Sequence, residues 1–198
     1  MGKFNKREVT FKMEDVPDWE IVKEFWNDLV GANFLGKISD RDFMIATLFV
    51  WYGRRISEIA ELEIKDIDFT QGERGVIHFI QKKTRTGKKE KVALPILPPI
   101  EKFLKLYIDR NIAPFNRKRL FNVKRRQINN IIHTLTEKYM GKKLRPHAFR
   151  HSIGDYLSRR KNTKYAQYWL GHADIRTTDI YTHYNVKKIT EDLPEEFK

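Results

Sequence analysis

Between Gly75 and Ile96 the chain changes its period. GVIHFIQ, from Gly75 to Gln81, and VALPI, from Val92 to Ile96, are apolar extended runs. Between them lies a polar stretch that turns around Thr86-Gly87-Lys88. Two such runs about a polar, Gly-containing turn predict a β-hairpin with a long tip. On both sides, apolar residues recur at three- and four-residue spacing, the period of one helix face. The spacing predicts a helix over 18–31, with Asp18 as its cap and Ile21, Val22, Phe25, Trp26 and Leu29 on one stripe. A second helix opens at Ser39-Asp40-Arg41-Asp42 and runs through Trp51 to Gly53, and a short one covers 57–62. Helical spacing returns around Ile100 to Tyr107, around Ile128 to Leu135, over roughly 147–159 after Pro146, and from Thr163 to Leu170. The pattern is that of an α+β, predominantly helical fold with one small antiparallel sheet.

At 198 residues the chain fits one ordinary domain. Hydrophobic residues at 40% and aromatics at 13% favour a packed globule over disorder. The net charge of +13 points to a polyanionic partner, nucleic acid before an anionic membrane, because the cations are clustered. The hairpin carries Lys82, Lys83, Arg85, Lys88, Lys89 and Lys91. RKRLFNVKRR carries Arg117, Lys118, Arg119, Lys124, Arg125 and Arg126 without an acid. A third cluster is Arg159-Arg160-Lys161 with Lys164. One run alone is a solvated face; three on a small domain predict a phosphate-contacting surface. The last ten residues, ITEDLPEEFK, reverse the sign, and such an acidic amphipathic tail docks either on the chain's own body or on a neighbouring copy. Cysteine is absent, which excludes disulfides and thiolate chemistry. No apolar run approaches membrane-spanning length and the N-terminus has no signal-peptide core, so a cytoplasmic setting is expected (that of the host cell for a viral or plasmid protein).

The candidate chemistry lies in four short stretches. YGRRISEIAEL sets Arg55 and Glu58 three apart at a helix start, on one face, so that the acid holds the guanidinium. RPHAFRHS sets His147 and Arg150 three apart on another helix. Lys83 sits where a strand enters the basic tip. LGHADIRTTDIYTHY places His172 after a glycine and Tyr181 nine residues later, behind Thr177-Thr178, a candidate helix cap. One reaction uses this whole set. A tyrosine hydroxyl attacks a phosphodiester, arginines and histidines stabilise the pentacoordinate phosphorane, and a lysine protonates the leaving oxygen. Fixed cations then do the work of a metal, and a phosphotyrosine link conserves the bond energy, so neither a metal nor another cofactor is expected. A metal reading of His147 and His172 lacks the accompanying carboxylates or cysteines.

These stretches resemble the catalytic domain of the tyrosine recombinases, the phage-integrase and Xer family. GRRISE resembles its Gly-x-Arg-x-Ser-Glu box, implying Arg55 as the first catalytic arginine. QKKTRTG…VALPI resembles the lysine hairpin and implies Lys83. HAFRHS resembles the His-x-Leu-Arg-His box and implies His147 and Arg150. LGHADIRTTDIYTH resembles the Leu-Gly-His…Tyr-Thr-His segment and implies His172 and the nucleophile Tyr181. The match runs over roughly residues 10–188. Arg54 stands where the family usually has an apolar residue, and spacing to Glu58 selects Arg55 over it; Lys82 competes with Lys83 in the same way. Tyr184 has the same chemistry as Tyr181 three residues on, whereas Tyr156 and Trp169 read as core, and His151 and His183 as structural.

The resemblance implies a site-specific recombinase that forms a 3′-phosphotyrosyl intermediate, acting as a homotetramer on DNA, with a monomer as the alternative in free solution. Residues 13–188 would be the catalytic domain, 1–12 a leader or linker remnant, and 189–198 the tail, without the family's N-terminal core-binding domain. A type IB topoisomerase-like activity and a non-catalytic DNA-binding module of the same fold are the alternatives.

Overall fold

The computed structural model describes residues 16–82, 89–171 and 186–197. In chain order the elements are α1 (Trp19–Phe34), α2 (Asp40–Tyr52), α3 (Ile56–Ala60), β1 (Ile67–Asp68), β2 (Val76–Lys82) and β3 (Lys89–Pro95). They are followed by α4 (Pro98–Asn111), α5 (Arg125–Met140), α6 (Pro146–Arg160), α7 (Thr163–Leu170) and α8 (Val186–Glu191).

Helix α2 is the axis of the molecule. Every residue from Phe43 to Tyr52 is buried, so the helix is apolar all round and needs partners on all sides. Helices α1, α4, α5 and α6 supply them. Ser39 caps α2 by accepting from the Asp42 amide at 3.1 Å, and Asp40 and Asp42 sit in its first turn against the positive end of the dipole. Gly53 closes the helix at φ +55.

Two details of α1 differ from the spacing-based reading. Asp18 precedes the helix but makes no side-chain cap; its carboxylate lies 3.8 Å from Arg159. Ile21 is 49% exposed, because the buried stripe runs through Trp19, Val22, Phe25, Trp26 and Leu29.

The predicted hairpin is present. β2 and β3 pair antiparallel from Val76↔Pro95 to Lys82↔Lys89. A third strand, β1, joins β2 on its other edge through Ile67↔Ile77 and Asp68↔Val76; two residues are too few to show a period. Ile77, Phe79 and Gln81 alternate onto the buried face of β2. Phe79 packs on Tyr52 at 5.3 Å, whose hydroxyl donates to the Pro95 carbonyl at 2.9 Å. Burial pushes the Tyr52 phenol well up, so it stays a neutral donor.

The acidic tail docks on the chain's own body. Ile189, Leu193 and Phe197 are buried. The Phe197 ring lies 5.5 Å from Trp19, 5.3 Å from Trp51, 5.8 Å from Tyr156 and 5.6 Å from Trp169. Glu196 pairs with Arg160 at 3.2 Å. Among the described residues no helix is long and apolar enough to cross a membrane.

Candidate active site

Three elements meet at the C-terminal end of α7. The first is the turn after α2. A side chain at Gly53 would place its Cβ 2.5 Å from Ile153 Cγ2 and 3.1 Å from Arg150 Cα, so the glycine lets this turn press against α6. The second is α6, entered through Pro146 at its first turn, where a missing N–H costs nothing. The third is the end of β2.

Arg150 binds the first two together. It is 3% exposed. Nη1 donates to the Gly53 carbonyl at 2.9 Å and Nη2 to the Leu170 carbonyl at 2.7 Å. These carbonyls end α2 and α7, where a guanidinium also meets the negative ends of the helix dipoles. Burial first, then Arg55 and Arg54, push its pKa down to about 9, with Glu58 opposing. The guanidinium is charged near neutral pH but electrostatically hungry, a setting that favours an incoming anion.

Arg55 precedes α3 and its side chain is 42% exposed. Its Nη1 donates to Glu58 Oε1 at 2.9 Å, while the Glu58 Oε2 accepts the Arg55 backbone N–H at 3.2 Å. The carboxylate that orients the guanidinium is itself only 4% exposed. Spacing to Glu58 therefore selects the arginine that faces solvent: Arg54, its neighbour, is 1% exposed.

His147 lies in the first turn of α6, one turn from His151, with ring centroids 4.6 Å apart and edge to face. Its pKa is lowered by burial, then by His151, Arg150 and Arg55, so the imidazole is neutral near pH 7 and carries one N–H donor. Arg55, His147, Arg150, His151 and Gln167 line a single open cleft of about 530 Å³ between α6 and α7.

The structure thus brings Arg55, His147 and Arg150 to one cleft, with Glu58 beneath. Lys83, His172 and Tyr181 lie outside the described residues, as do Arg85 and Lys88. Gln81, two residues before Lys83, donates to the carbonyl of Leu170, two residues before His172, at 3.4 Å. Gly171 has φ +62, and a Cβ there would fall 1.5 Å from Gln81 Nε2. Lys82 and Lys89 form the last described pair of the hairpin.

The other basic residues divide. Arg117, Lys118, Arg119, Lys124, Arg125 and Arg126 are exposed. Arg119, Lys124 and Arg125 share a second cleft of about 610 Å³ with Ile80 of β2 and with Glu61 and Lys65, and Arg125 pairs with Glu61. The loop is fixed there by Leu120 N–H to the Leu62 carbonyl and Ile64 N–H to the Lys118 carbonyl, both at 2.9 Å. Arg159 pairs with Asp155. Arg160 stacks over Tyr156 at 5.9 Å and pairs with the tail, on the side of α6 away from the cleft. Among the described residues no group of three or more His, Cys, Asp or Glu is arranged to hold a metal ion.

Two polar residues of the site were not singled out for a role from sequence. Gln81 carried a usable signal, being polar in the buried register of Ile77 and Phe79. Arg54 reads from the sequence only as a rival to Arg55.

A model of the phage integrase family matches residues 28–188. The chain belongs to the phage integrase family. Tyrosine recombinase XerC of Pseudomonas entomophila is 32% identical over 74% of the chain and 49% of its own length. Tyrosine recombinase XerA of Pyrococcus furiosus is 31% identical over 76% of the chain and 53% of its own length. The chain therefore spans about half the length of the curated relatives it matches. The fold agrees with solved structures of the family. The XerA recombinase crystal structure aligns with TM-score 0.63 and 23% identity over 88% of this chain and 61% of that one. The lambda integrase catalytic core aligns with TM-score 0.55 and 13% identity over 80% of this chain and 95% of that one.

Proposed function

We propose that this chain is the catalytic unit of a site-specific DNA recombinase. The observation that carries the reading is the convergence of Arg55, Arg150 and His147 on one open cleft at the end of α7. Two guanidiniums and a neutral imidazole offer fixed donors to the non-bridging oxygens of a phosphodiester. Tyr181 attacks the phosphorus and gives up its hydroxyl proton to water, the bond to the 5′ oxygen breaks, and Lys83 gives that oxygen its proton. The product is a 3′-phosphotyrosyl link and a free 5′-hydroxyl. His172 adds a further donor to the phosphorane, and Glu58 holds Arg55. All the roles fall to side chains, so no metal, ATP or other cofactor takes part.

The partner is double-stranded DNA. The exposed cations at 117–119 and 124–126 and the hairpin lysines track its phosphates. The relatives support this: XerH, with which the chain aligns at TM-score 0.61, is described bound to its difH substrate in a pre-cleavage complex. Strand exchange between two duplexes calls for four copies.

The test is a metal-free cleavage assay on nicked duplexes. In EDTA, the wild type should give an SDS-resistant protein–DNA complex, and Arg55→Ala, Arg150→Ala and Tyr181→Phe should not. Salt-sensitive DNA binding with no complex from any variant would make the chain a binding module. Relaxation of supercoils on any sequence by a monomer would make it a topoisomerase.

A further inference from the structure

Arg54 is a charged side chain where burial is complete: its side chain has 0% exposure. A guanidinium held out of water needs well-placed partners. Arg54 Nε lies 2.7 Å from Glu58 Oε2, Nη1 donates to the Trp169 carbonyl at 2.9 Å, and the planar group stacks 4.6 Å over Phe79.

The shared acid gives this arrangement a consequence. Glu58 Oε1 is used by Arg55 Nη1 at 2.9 Å. An arginine and a carboxylate left to themselves pair by two parallel bonds. Oε2 is shared by the Arg55 backbone N–H at 3.2 Å and by Arg54, which together take up its two lone pairs, so Glu58 holds Arg55 by a single side-chain bond and leaves its remaining donors for the cleft. At its far end Arg54 fixes the Trp169 carbonyl, next to the Leu170 carbonyl that Arg150 and Gln81 hold. One buried side chain thus ties the aim of Arg55 to the point where the chain leaves α7 for His172.

We propose that Arg54 is a positioning residue: by holding the second oxygen of Glu58 and the end of α7, it keeps Arg55 directed at the bound phosphodiester. The identity of that anion rests on the function proposed above; the geometry does not.

Two measurements test it. In a crystal structure of Arg54→Leu, Arg55 should close onto both Glu58 oxygens and withdraw from the cleft. If it keeps the single Oε1 contact, the proposal is overturned, whether or not the protein cleaves DNA. Should Arg54→Leu fail to fold, Arg54→Met answers the same question, because its unbranched apolar chain fills the volume and offers Glu58 no donor.

The second is a double-mutant cycle in single-turnover cleavage of a nicked duplex. Arg54→Leu should slow cleavage about tenfold or more with DNA affinity unchanged, and Arg54→Lys should recover part of the rate. In an Arg55→Ala background the same change should cost less than about threefold. An equal loss in both backgrounds means that Arg54 does not act through Arg55. A wild type that does not cleave defeats the functional reading, while the structure of the variant still decides the role of Arg54.

Discussion

Arg150 and Gly53 stand 97 residues apart in the chain and are joined by a 2.9 Å hydrogen bond from guanidinium to carbonyl. The same guanidinium reaches the Leu170 carbonyl. A residue proposed to bind the reacting phosphate is therefore also a structural rivet between α2, α6 and α7. On that proposal, stability and catalysis are coupled at this side chain.

Arg150→Lys should separate the two roles badly. A single ammonium cannot span both carbonyls, so one buried acceptor is left without its donor, a loss of about 1–3 kcal/mol. The expected result is a lower urea midpoint with an unchanged slope, together with loss of cleavage. Full stability with full activity would contradict the rivet.

Gly171→Ala tests the junction of hairpin and α7. The added Cβ would fall 1.5 Å from Gln81 Nε2, at a backbone φ of +62. Strain and overlap together predict a loss of about 2 kcal/mol or more in thermal unfolding. Gln81→Ala in the same chain should restore part of it, since it removes the overlap and leaves the backbone strain.

Much of the fold is legible in the sequence because its signals are local. The hairpin follows from a change of apolar period, and α2 from a capped apolar run. The Arg55–Glu58 pair follows from a three-residue spacing on one helix turn. What was not legible depends on contacts between distant segments. Arg54 and Gln81 acquire their partners from Trp169 and Leu170, 115 and 89 residues away. The short strand β1 exists only because β2 offers it an edge. The tail reads as amphipathic and as docking on the body or on a neighbouring copy; which of the two it does is settled by distant aromatic partners such as Trp19 and Trp51, among which Phe197 is buried.

The histidines of the cleft predict a pH dependence. His147 and His151 both have pKa values lowered by burial and by neighbouring cations. Below the ordinary histidine value near 6.5, the unfolded chain takes up protons that the folded chain resists. Their contribution to stability is therefore present above that pH and lost as pH falls through it. Urea titrations between about pH 7 and pH 5 should show this decline, and His147→Gln with His151→Gln should flatten it. A double variant with the wild-type slope would contradict the assignment.

Phe197→Ala probes the tail. The ring is fully buried among Trp19, Trp51, Tyr156 and Trp169. Truncating a core phenylalanine costs about 3–5 kcal/mol. The expected outcome is a matching fall in unfolding free energy with a changed tryptophan emission. A change below about 1 kcal/mol would mean that the tail is not part of the core in solution.

The most direct test of the central claim is to identify the linked atom. The protein is incubated with nicked duplex DNA in EDTA, stopped with SDS, digested, and the modified peptide and DNA end are read by mass. The account predicts a 3′-phosphate esterified to Tyr181. A link to Tyr184, a 5′-phosphate link, or a covalent complex that forms only with added metal would contradict it.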